Sequence, residues 1–219
     1  MKNFSINNPG RQFRLLFINL ICLLALTSCG ESAKQKADKL FNEGTTRSAD
    51  AAEAAGKGYV YRGIQLNDEA IQLFRQTLQA DSTHSKAKSA LGHSFYVAKN
   101  YTDALTWFEK ADTADFTPTN YLEMGLSKIN KGMVAEGKHD IDKALKMDSS
   151  EKFKTATING IYDIGKQALE NTKRLAAEGN KQIGMAYSGF AAGLLQTALE
   201  MDTTRKDIAK SLKELRGGN

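Results

Sequence analysis

Two cysteines and three histidines are the side chains of this 219-residue chain best suited to nucleophilic or metal chemistry: Cys22, Cys29, His84, His93 and His139. The histidines do not form a set. None has a second histidine or a carboxylate four residues away, as a helical metal site requires. His139 stands beside Asp140 and Asp142, but a helix turns these three to different sides. There is no HExxH pair, no glycine loop to cradle phosphate and no nucleophile elbow. The pattern therefore predicts no metal, no cofactor and no catalytic constellation, and the chain is expected not to be an enzyme. Cys29 is different, because it closes the run Leu26-Thr27-Ser28-Cys29 at the end of an apolar segment.

That segment has a positive start (Lys2, Arg11, Arg14) and an apolar stretch from Leu15 to Leu26 interrupted by Asn19. Twelve residues are too few to span ~30 Å of hydrocarbon as a helix, and the length suits a secretory h-region. Charge, run length and small residues before the cysteine resemble the signal peptide and lipobox of bacterial lipoproteins. The resemblance implies removal of residues 1–28 and a diacylglycerol thioether on Cys29. Each buried methylene of an acyl chain contributes about 0.8 kcal/mol, so two or more chains make a durable tether. The implied location is the bacterial cell envelope, lipid-anchored, at the outer membrane facing the periplasm. The acidic cluster that marks surface export in some groups is reduced here to Glu31.

Without residues 1–28 the formal charge of +5 loses three positives and no negatives. No basic stripe remains to suggest nucleic acid. Neither cysteine is left for a disulfide, so the fold must rest on its own core. Pro118 is the remaining proline. Strong helix formers occur throughout, and the composition points to an all-α protein.

The elements that position any site repeat. Gly58, Tyr61, Ala70, Phe74, Thr77 and Asp81 recur 34 residues on as Gly92, Phe95, Ala104, Phe108, Ala111 and Asp115, and in part as Gly125, Ala144 and Asp148. Small residues let two antiparallel helices approach, and large ones at helical spacing fill the space between them. Period and pattern resemble the tetratricopeptide repeat, most closely over Leu91–Asp115. Where that family has proline after the acidic residue, this chain has Ser82, Ser149 and Thr203, which are expected to cap the following helix. Thr117-Pro118 reads as a cap followed by a first-turn proline. The resemblance implies a helical-repeat (tetratricopeptide-like) solenoid of antiparallel helix pairs.

The expected organisation is a lipidated N-terminus with a short helix over 29–46, three repeats over 47–151, and an enlarged helical pair with a capping helix over 152–216. The short helix carries the stripe Ala33, Ala37, Leu40 and Phe41 and ends at Gly44; the first repeat's leading helix runs from about Ser48 to Gly63. In the C-terminal third, helices are expected over Ser150–Ala177 and Lys181–Met201, with a cap opening at Thr204-Arg205-Lys206-Asp207 and burying Ile208, Leu212 and Leu215. Ile183–Leu199 contains no charge. Burial within the solenoid is the favoured reading, ahead of a membrane-inserting or partner-binding helix.

In the tetratricopeptide family the leading helices line a groove that holds a peptide. Carried onto this chain, the groove would hold Tyr59 and Arg62 from the first copy, and Lys86, Ser89, His93 and Tyr96 from the second. The third copy supplies Leu122, Leu126, Ile129 and Asn130. Arg62 and Lys86 would meet an acidic terminus, and the aliphatic trio an apolar one. The same trio reads equally well as core beneath the C-terminal pair. The expected role is a protein-binding scaffold or adaptor with an unidentified protein or peptide partner. The other two readings are a binder of a small ligand or lipid around Gly184–Gly193, and a structural homo-oligomer through Ile183–Leu199.

Overall fold

The computed structural model describes residues 31–217, so the signal segment and Cys29 lie outside the described residues. Nine α-helices follow one another there: α1 (Ala33–Gly56), α2 (Val60–Ala80), α3 (Ser85–Val97), α4 (Tyr101–Lys110), α5 (Pro118–Asn130), α6 (Val134–Met147), α7 (Glu151–Ala177), α8 (Lys181–Met201) and α9 (Lys206–Gly217). No strand occurs among the described residues. The principal packing partners are α1 with α2, α3 with α4, α5 with α6, and α7 with α8, while α9 packs on α7 and α8. This is an all-α helical-repeat solenoid, tetratricopeptide-like in its antiparallel pairs, closed by a C-terminal capping helix.

Five helices, α1, α3, α4, α5 and α7, begin where a side chain takes an orphan backbone amide. Ser32 and Thr117 form capping boxes with Gln35 and Asn120, and Pro118 takes the first turn of α5. The interrepeat caps fall elsewhere than Ser82, Ser149 and Thr203. His84 Nδ1 accepts from the Ala87 amide at 3.1 Å, and Ser150 Oγ accepts from Phe153 at 3.3 Å. The hydroxyls of Thr83 and Thr204 turn back to donate to Asp81 and Asp202 at 2.6 and 2.7 Å. Those bonds, and at Asp148 the amide of Ser150, hold the three carboxyls below the ordinary aspartate range.

The first helix departs from the sequence expectation. Residues 44–46 are no break, because α1 continues unbroken to Gly56 and the turn falls at Lys57–Tyr59. Ala37, Gly44 and Ala51, seven apart, are all buried on one face. A Cβ on Gly44 would stand 2.6 Å from the Phe74 ring, and one on Gly92 would stand 2.6 Å from the Phe108 ring. Gly44, not Gly58, is therefore the packing counterpart of Gly92. Gly58 sits in a turn, and Tyr61, aligned with the buried Phe95, is 74% exposed.

The facing contacts also reveal unequal pairs. Gly92 meets Phe108 and Gly125 meets Ile141, each 16 residues along, whereas Gly44 meets Phe74 and Gly165 meets Leu195, each 30 residues along. From these contacts to the aspartate that ends each second helix or its turn (Asp81, Asp115, Asp148 and Asp202) the distance is always seven residues. The extra length therefore lies on the other side, toward the hairpin tips. The outer pairs reach two turns, about 10 Å, beyond the inner ones.

Two large clusters make up most of the core, with Tyr96 and Tyr121 packed against both. One cluster joins Phe74, Leu91, Phe95, Phe108 and Phe116, and a second joins Leu122, Leu126, Ile141, Ile161, Leu195 and Ile208. Gly125 and Gly137 touch backbone to backbone, which explains glycine at position 137 where Ala70 and Ala104 stand in the other copies. Asn67 donates to the Ser94 carbonyl at 3.0 Å and ties α2 to α3. Arg205 donates to Asn159 at 2.8 Å, and Tyr162 meets Ser211 at 3.3 Å, which fasten the cap to α7.

Candidate functional site

The leading helices α1, α3 and α5 share a groove of about 510 Å³. From α1 it takes Phe41, Thr45, Ser48, Ala49 and Ala52; from α3, Lys86, Ser89, Ala90 and His93; from α5 and the turn before it, Asp115, Thr117, Thr119 and Asn120. Small residues on α1 leave this side of the stack hollow, since alanine and serine fill little of the space between neighbouring leading helices. Phe41 anchors the first wall by packing on Phe74 and on the His84 ring, at centroid distances of 5.7 and 4.8 Å.

His93 joins two of the three walls. Its Nδ1 lies 2.8 and 2.9 Å from the two Glu123 oxygens, with Glu123 buried on α5 and His93 half-buried on α3. Burial on its own would depress the imidazole, but the hydrogen bond and charge of Glu123 outweigh it, and His93 titrates above its usual value. Burial raises Glu123 in turn, against the lowering effect of His93. Nδ1 is thus committed to Glu123, while the ring itself lines the groove. Deeper in the stack, Lys128 bonds Asp140 across α5 and α6, with both groups largely buried. This explains a lysine where the other copies carry an aromatic residue.

Of the expected groove residues, Lys86, Ser89 and His93 line the hollow, although the Ser89 hydroxyl is spent on the Lys86 carbonyl at 3.1 Å. Tyr59 and Arg62 do not line it. They stand at the tip of the first hairpin, where Tyr59 is 64% exposed and Arg62 approaches Glu69 at 3.9 Å. Leu122, Leu126 and Ile129 belong to the core; a Cβ on Gly160 of α7 would sit 2.5 Å from Leu126, and one on Gly137 of α6 would sit 2.6 Å from Ile129. Tyr96 faces α7 in a separate cleft, and Asn130 is half-buried at the end of α5. Sequence reasoning missed Thr45, Ser48, Ala49 and Ala52, which the supposed break at Gly44 had separated from the stripe below. The seven-residue spacing of Ala37, Gly44 and Ala51 was the signal for a continuous helix.

The uncharged stretch Ile183–Leu199 is buried on one face only. Leu194, Leu195 and Ala198 are in the core, while Ile183 and Met185 are 55% and 68% exposed and Gly189 and Gly193 face open space. Full burial is therefore not what the structure shows. No helix of the described residues is long and apolar enough to cross a membrane. Among the same residues no group of three or more His, Cys, Asp or Glu side chains is placed to hold a metal.

No protein-family model matches the chain, and no curated protein matches it. Among solved structures it is similar to YrrB, described as a TPR protein with an unusual peptide-binding site. The likeness covers 76% of this chain and 90% of that one, at 15% identity and a TM-score of 0.36. The class of the protein rests on its own helix pairing, an all-α repeat stack with a hollow face.

Proposed function

We propose that this is a non-catalytic, lipid-anchored envelope protein that acts as a scaffold or adaptor by holding a peptide segment of another protein against α1, α3 and α5. The observation that carries the reading is the hollow itself. Three leading helices leave an open channel whose lining alternates small side chains with hydrogen-bonding ones (Thr45, Ser48, Lys86, His93, Asn120). An extended peptide needs both, room for its backbone and polar partners for its amides. Lys86 favours an acidic group on the segment. The Cys29 lipid supplies the anchor, and the position on the periplasmic side of an outer membrane follows from the lipobox resemblance.

Two variants test the two halves of this reading. Cys29→Ala is expected to move the protein from the membrane to the soluble fraction; continued sedimentation with membranes contradicts the anchor. Ser48→Arg with Lys86→Glu fills the channel from a half-buried position and reverses its charge at an exposed one. It should abolish partner capture while the melting temperature stays within a degree or two of the parent. Capture at the parent level by the double variant removes the groove from the account.

A further inference from the structure

All four hairpins turn through the same motif. In the turns after α1, α5 and α7 the left-handed position is glycine: Gly58, Gly132 and Gly179, with φ of 83°, 84° and 80°. After α3 it is Lys99, with φ 57°, the one non-glycine residue of positive φ among the described residues. The bonds are those of the other turns, Lys99 to the Tyr96 carbonyl and Asn100 to that of Phe95, each at 2.9 Å. A residue with a Cβ is strained in this region, and glycine would relieve it. No hydrogen bond or ion pair among the described residues uses the Lys99 side chain. Strain that the hairpin does not need directs attention to what the side chain faces.

Lys99 faces a cleft of about 570 Å³ between this turn and α7. Tyr96 and Tyr101 line it from the turn side, their rings edge to face with centroids 5.9 Å apart. From α7 come Asp163, Lys166 and Gln167, at three- and four-residue steps on one exposed helix face. The cleft is separate from the groove over α1, α3 and α5. Burial raises both phenols, and neighbouring carboxylates, Asp163 among them, add to the effect, so both hydroxyls stay protonated. Among the described residues no internal hydrogen bond engages the two hydroxyls, the Asp163 carboxylate or the Gln167 amide. The cleft thus carries unspent donors and acceptors around the half-buried ring of Tyr101, while its other carboxylate, Glu170, is bonded to Lys173 at 3.2 Å.

We propose that this cleft is a saccharide-binding site, with Tyr101 packing on a sugar ring and Lys99, Asp163 and Gln167 bonding its hydroxyls. The lining favours a saccharide over a peptide. Its donors and acceptors are interleaved, as hydroxyls that both donate and accept require.

The test is calorimetric titration of the full chain in detergent with three probes: chitohexaose, maltohexaose and hexagalacturonate. At least one is expected to bind with Kd on the order of 1 mM or tighter. Lys99→Gly should leave the melting temperature unchanged or raised and weaken that binding by about tenfold or more. Tyr101→Ala should weaken it likewise, and Lys86→Glu in the separate groove should not change it. The proposal is overturned if none of the three probes binds, or if Lys99→Gly and Tyr101→Ala both bind like the parent. A folded Lys99→Gly variant keeps the test decisive even if Tyr101→Ala unfolds.

Discussion

His93 and Lys128 each reach a buried carboxylate, and the two pairs behave differently on perturbation. Both His93 and Glu123 titrate higher in the folded chain than their ordinary values of 6.5 and 4.5, so folding takes up protons. For such groups the stabilisation is fully present below the unfolded values and is lost as pH rises through the folded ones. The melting temperature should therefore fall as pH rises above 4.5, the ordinary value of Glu123, and on past 6.5, that of His93, and Glu123→Gln should flatten that fall. Equal slopes in parent and variant contradict this assignment. At the second pair, Lys128→Met leaves Asp140 buried and opposed by the half-exposed Lys143 alone, 3.9 Å away. Removing one partner of a buried pair costs about 3–5 kcal/mol, whereas replacing both by apolar residues of similar volume is near neutral. Denaturant unfolding should show a loss toward the lower end of that range for Lys128→Met and recovery of most of it when Asp140→Leu is added. A double variant as weak as the single one shows that the charge pair is not the cause.

At the scale of the element, second helices were legible and the first leading helix was not. Ala70, Phe74, Thr77 and Asp81 keep the 34-residue step because all four copies place the same contact seven residues before the closing turn. The step fails for Gly58 and Tyr61 because the extra length of the first pair lies between its matched halves, at the tip, where no fixed period can register it. Glycine at 44 reads as a helix end by propensity; in the structure it is kept small by the Phe74 ring, a tertiary reason that no local pattern contains. The aliphatic trio of α5 was ambiguous on similar grounds, since nothing local announces that α6 and α7 pack against it. Two substitutions separate a packing glycine from an incidental one. Gly44→Ala should destabilise by about 1–3 kcal/mol through overpacking. Gly193→Ala, with nothing within 4 Å of the new methyl group, should stabilise by about 0.5–1 kcal/mol through helix propensity. Thermal or denaturant unfolding reads both, and a loss at Gly193 contradicts the open surface assigned there.

At the scale of the whole molecule, two short pairs stand between two long ones. The long pairs rise about 10 Å past the short ones, and their tips carry most of the exposed large apolar side chains, among them Tyr59, Tyr61, Ile183 and Met185. The start of α1 and the Asp81, Asp148 and Asp202 turns lie at the opposite edge. The hollow of α1, α3 and α5 lies on one face of the stack, and α9 closes the far end through Ile208 and Leu212. An adaptor needs that face free and the rest of the stack rigid. The direct measurement is photo-crosslinking in the native cell with a reactive amino acid at Ser48 or Asn120 in the hollow, and at Lys138 outside it as the control. Our account predicts one discrete protein adduct from both hollow positions, absent from Lys138 and lost with Lys86→Glu. No adduct from either hollow position, or the same adduct from Lys138, contradicts it.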